Sequence, residues 1–80
     1  MLNDNQLVWR CRRGIRELDV LFGRFLESNY ANLDARQKAA FERLLEVQDP
    51  VIMDWLFRKT ETEDAELAEL IDSLRALSGL

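Results

Sequence analysis

The chain has 80 residues, 15 acids, 11 bases and no histidine, for a net charge of −4 and a pI near 4.7. A chain of this size holds one small core, without room for a deep polar cleft. The acidic balance argues against a general affinity for nucleic acid or anionic lipid.

The apolar spacing predicts helices throughout. Leu7, Val8 and Trp9 begin a short helical segment from about Gln6 to Arg12, which is expected to lay Trp9 on the core, with a place at a partner contact as the alternative. Leu18, Leu21, Phe22, Phe25 and Leu26 recur at i, i+3, i+4, i+7 and i+8, one face of a second helix. Gly23 inside that pattern costs about 1 kcal/mol against alanine. Asp34 and Gln37 stand at capping-box spacing before a third helix that buries Phe41, Leu44 and Leu45. Asp49 reads as the cap of a fourth helix, with Pro50 at its first position, where a missing N–H costs little. Val51, Ile52, Trp55 and Leu56 form its face. Thr62 reads as the cap of a fifth helix, which buries Leu67, Leu70, Ile71, Leu74 and Leu77 and ends at Gly79. The connections are short, at about 30–33, 47–48 and 59–61, and short connections make neighbouring helices cross or run antiparallel. The expectation is all-α: a compact bundle of four helices plus a short N-terminal helix, in a single helical domain over 1–80 with its core at about 7–77.

Charge is unevenly placed. Residues 1–27 carry a net +1 and residues 28–80 a net −5. The acids from Glu61 to Asp72 run without a base between them and read as a solvated face. Arg10, Arg12, Arg13 and Arg16 crowd into seven residues around Gly14.

Catalytic chemistry has few carriers. Without histidine the commonest general base and zinc ligand are missing. Cys11 is the single cysteine, so no internal disulfide forms and no thiolate metal site is built. Its plain reading is a small filler near the core. No P-loop or dinucleotide fingerprint is present, no catalytic residue is assigned, and the chain is not expected to be an enzyme. The sequence offers no apolar run of membrane-spanning length and no leader pattern, so a cytoplasmic protein is expected.

Two readings of the arginine stretch remain open on the residues alone. In one, Arg13 and Glu17 form an i, i+4 surface ion pair and Gly14 ends the first helix in a left-handed conformation. In the other, Gly14 lets a second backbone approach, and Arg13 and Glu17 clasp it.

The segment "RRGIRELD" carries an R-G-x-x-E pattern at Arg13, Gly14 and Glu17. Together with "RFLESNYANL" and "FERLLEVQDPVIMDWL", it resembles the SdhE flavinylation factors, the succinate dehydrogenase assembly factors, over roughly residues 7–75. The resemblance implies a small helical chaperone that binds the flavoprotein subunit of succinate dehydrogenase, and often of fumarate reductase. It implies that FAD becomes covalently attached to a histidine of that partner; without a dinucleotide-binding signature of its own, the helper is expected to hold no cofactor stably. It also implies that Arg13, Gly14 and Glu17 lie at the partner contact. Arg10, Arg12, Arg16, Asp19 and Tyr30 are expected as rim residues on the same side. Some relatives are described as antitoxins that counter a membrane-associated inhibitor of cell division, and that regulatory role is the alternative reading. A monomer is expected, with Leu77 and Leu80 as a basis for weak dimerisation.

Overall fold

The computed structural model describes residues 3–79, apart from the side chain of Asp4. Leu80 lies outside the described residues. These hold five α-helices and no strand: α1 (Asp4–Arg10), α2 (Arg16–Ser28), α3 (Ala35–Leu45), α4 (Asp49–Leu56) and α5 (Ala65–Ser78). A 3-10 turn, Tyr30–Asn32, joins α2 to α3. Helix α5 packs against α2, α3 and α4. Among the described residues every buried side chain is apolar.

Helix starts follow local chemistry. Asn3 caps α1 and Asp34 caps α3, each in a reciprocal box with the glutamine three residues on. Two expected caps shift. Asp64, not Thr62, caps α5 by accepting from the N–H groups of Glu66 and Leu67. Thr62 supports it, its hydroxyl accepting from the Asp64 N–H. In α4 Gln48 stands at the cap position without a side-chain bond, so Asp49 is the helix's first residue and Pro50 its second. That shift frees the Asp49 carboxylate for another use.

The core centres on Phe41. Phe25 stacks on it at 5.0 Å, and Phe22 meets it edge-on at 6.0 Å. Leu18, Leu44, Ile52, Ile71 and Leu74 close around these rings. The helical face read from α2 is thus the buried one. A side chain at Gly23 would meet nothing within 4 Å, so the helix simply tolerates that glycine.

Trp9 departs from expectation. It is 72% exposed, while Leu7 and Cys11 on the opposite side of α1 are buried. The first helix offers the core a stripe only one residue wide per turn, and Leu7 with Cys11, at i and i+4, fills it. Val51 is likewise exposed, on the outer side of α4.

The connection from α4 to α5 is longer than the spacing suggested, running from Phe57 to Asp64. Arg58, its second residue, has φ +61°, in the left-handed region. The Arg58 and Lys59 amides donate back to Trp55 O and Asp54 O at 3.2 and 2.8 Å. This is a Schellman ending with arginine where glycine is usual. Arg75 of α5 reinforces it, its Nε donating to Leu56 O at 3.2 Å and its Nη2 to Trp55 O.

The acidic run is more than a solvated face. Arg43 pairs with Asp64 at 3.1 Å and Arg36 with Glu66 at 2.9 Å, tying α3 to the start of α5. Desolvation acts against the charged form of Asp64. The Arg43 hydrogen bond and the Leu67 and Glu66 amides outweigh it and hold the carboxyl below its ordinary value.

Candidate functional site: the junction between α1 and α2

Helix α1 ends at Arg10 with Cys11 at its C-cap, and Arg12–Ile15 cross to α2. Helix α2 has no side-chain cap of its own, because Ile15 stands at the cap position. Two carboxylates from later in the chain instead bind the backbone leading into it. Asp19 Oδ1 accepts from the Arg13 N–H at 3.2 Å. Asp49 Oδ2 accepts from the Gly14 N–H at 3.0 Å and the Ile15 N–H at 3.4 Å. Three consecutive amides thus face carboxylate oxygens. Asp49 also lies at the N-termini of two helices, α2 and its own α4, where the peptide dipoles favour a negative charge.

The other Asp49 oxygen binds Arg13. Arg13 Nε donates to Oδ1 at 2.6 Å, Nη1 to Leu45 O at 2.8 Å and to Arg10 O at 3.2 Å, and Nη2 to Val47 O at 2.6 Å. The guanidinium therefore caps the C-terminal end of α3, whose last carbonyls have no partner within the helix. It also lies 5.5 Å from the Phe22 ring centroid. Only 10% of the Arg13 side chain is exposed.

This geometry corrects the first reading of the stretch on two counts. Arg13 pairs with Asp49 rather than Glu17, because α4 brings a carboxylate to a partly desolvated position where a charge-assisted bond is strongest. Gly14 is not in a left-handed conformation. Cys11 ends α1 in a right-handed one, and among the described residues the one glycine with positive φ is Gly79, at the end of α5. Gly14 instead presents its backbone to solvent, and an added Cβ would meet only Asp49 Oδ2, at an ordinary 3.5 Å.

The remaining expected residues divide by position. Arg10, Arg12, Arg16, Glu17 and Asp19 are all exposed at or beside the junction. Arg12 lies over the Trp9 ring at 5.7 Å, and Arg10 reaches Glu46 at 3.8 Å in an open ion pair. Arg16 and Glu17 line a groove of about 410 Å³ between α2 and α4, together with Val20, Met53 and Phe57. Tyr30 does not belong to this group. It follows the far end of the 13-residue α2, roughly 20 Å along the axis from Arg16, and packs against Phe41 at 5.5 Å.

The reading of the sequence missed Asp49 as a site residue. It lies 36 positions from Arg13, and its local pattern, an acid before proline, already had a sufficient explanation as a cap. The available signal was electrostatic: clustered arginines call for an acid from elsewhere in the chain.

Cys11 is buried, as its filler reading required. Burial pushes its thiol up to about 11, against the opposing pull of Arg13, so it stays protonated and unreactive at neutral pH. Among the described residues no group of three or more acids or cysteines could hold a metal ion, and no helix is long and apolar enough to cross a membrane.

Comparison with known proteins places the chain. Residues 5–78 match the family model described as "Flavinator of succinate dehydrogenase". A protein named FAD assembly factor SdhE from Idiomarina loihiensis is 47% identical over 66 residues, covering 82% of this chain and 73% of its own. Proteins of the same name from Yersinia pestis and Coxiella burnetii are 39% and 36% identical, covering 92% and 96% of this chain and 84% and 94% of theirs. The helical fold, the R-G-x-x-E junction and these matches over most of the chain agree: it belongs to the SdhE family of FAD assembly factors, the flavinators of succinate dehydrogenase.

Proposed function

We propose that this protein docks on the flavoprotein subunit of succinate dehydrogenase through the junction around Gly14 and promotes covalent attachment of FAD to that subunit. The observation that carries the reading is the exposed Gly14 backbone, held between Arg13 and Asp49 on the inside and bordered by exposed Arg12, Arg16 and Glu17. An exposed glycine lets a partner's backbone come within van der Waals reach. The arginines draw an acidic surface toward the junction, and their steering acts on the association rate. The chain acts by binding. It holds a conformation of the partner in which the flavin and its acceptor side chain are aligned, so that the covalent step proceeds within the flavoprotein. The same docking extends to the flavoprotein subunit of fumarate reductase. The helper works as a cytoplasmic monomer and keeps no cofactor of its own.

Gly14→Arg tests the reading. The position is open, so the variant is expected to fold with wild-type helicity. In-gel fluorescence of covalently bound flavin, in cells carrying this variant as their sole copy, is expected to fall to the level of cells without the gene. Incorporation at the wild-type level would overturn the proposal.

A further inference from the structure

We propose that Asp49, outside the R-G-x-x-E pattern, is a positioning residue for partner recognition: it sets the shape of the Gly14 backbone, and Arg13 acts through it from within rather than by touching the partner. The inference rests on the docking reading above.

Its first support is the state of Arg13. The guanidinium already serves four acceptors, three of them carbonyl oxygens of α1, α3 and the turn after α3. Reaching a visitor would require breaking charge-assisted bonds and uncapping α3.

The second is the division of labour at Asp49. Joining α3 to α4 needs only Oδ1, the oxygen on Arg13. The second oxygen, Oδ2, serves neither helix end of that joint; it takes the amides of Gly14 and Ile15 in the connection before α2. Those bonds define a surface.

The third is the connection itself. Five residues, Cys11–Ile15, link α1 to α2 without helical structure of their own. A glycine-containing link left free samples many shapes, and a partner would have to order it on binding. Fixing it beforehand removes that cost from association.

The test compares Asp49→Asn, Asp49→Glu and Arg13→Lys with the wild type under conditions where each retains full helical circular dichroism. A carboxamide at position 49 can accept from Arg13 or from the two amides, but not from both sides at once. The longer glutamate keeps the charge and displaces the second oxygen, so it serves if Asp49→Asn does not fold. Native-state amide exchange reports the loop, and affinity for the purified flavin-free flavoprotein subunit of succinate dehydrogenase reports recognition.

Asp49→Asn or Asp49→Glu is expected to speed exchange at Gly14 at least tenfold relative to amides of α3, and to weaken affinity at least tenfold. The Arg13→Lys/Asp49→Asn double variant is expected to bind no more weakly than the worse single one, because both act through one element. A purely structural role would lower stability and leave the affinity of the folded molecules unchanged. Wild-type affinity in a folded Asp49 variant would therefore overturn the inference, and so would additive losses, which would mean that Arg13 touches the partner. If the wild type itself fails to bind, the docking reading falls. Exchange at Gly14 unaltered by the Asp49 substitutions would separately overturn the role of Asp49.

Discussion

Two arginines in this molecule do the same job at different helix ends, with different consequences. Arg13 caps α3 through Leu45 O and Val47 O, and Arg75 caps α4 through Leu56 O and Trp55 O. Each also binds a carboxylate at 2.6 Å, and the two side chains are 10% and 13% exposed. The difference lies in the carboxylate. Asp72, beside Arg75, comes from the same helix three residues earlier and is 71% exposed. Asp49, beside Arg13, comes from a different element, is 17% exposed and accepts two further amides. The Arg75 clamp joins helices. The Arg13 clamp joins helices and also shapes a strip of surface backbone, because its acid is shared with a loop.

Arg13→Ala should break this comparison most visibly. It leaves Asp49 partly buried without its cation and uncaps α3, at an expected cost of about 3 kcal/mol. Urea unfolding followed by circular dichroism measures it, and a loss under 1 kcal/mol would mean that the clamp carries little stability. Arg75→Ala should cost less, about 2 kcal/mol by the same measurement, because Asp72 returns to water at no penalty when its partner leaves.

Arg58→Gly probes the turn that Arg75 holds. Relieving a left-handed arginine at a Schellman ending should raise stability by about 1 kcal/mol. An unchanged or lower unfolding midpoint would show that the arginine side chain contributes as much as its backbone costs. Asp72→Ala should have the smallest effect, under about 0.5 kcal/mol, since it removes only an exposed ion pair. A cost comparable to that of Arg13→Ala would erase the distinction between the two clamps.

Much of the fold is written locally. The faces of α2, α3 and α5 follow from apolar residues at helical spacing, and the Asp34–Gln37 box and the terminal Gly79 follow from a few neighbouring residues each. Such features depend on the backbone's own periodicity and orphan amides, so a linear reading reaches them. The motif residues Gly14 and Glu17 were likewise visible as a short pattern, and both are exposed.

Only the tertiary structure decided what the arginines do. Nothing between residues 10 and 17 says that Arg13 turns inward while Arg10, Arg12 and Arg16 stay in water. That choice depends on α4 bringing Asp49 across from 36 positions away, and on three carbonyls converging on one guanidinium. The exposure of Trp9 was decided in the same way, by how narrow a strip of α1 the core admits. Local sequence sets periodicity and capping because these involve groups within one helical turn. The destination of a long charged side chain depends on which distant acceptors the packed helices bring within reach, and the order of residues along the chain does not contain that information locally.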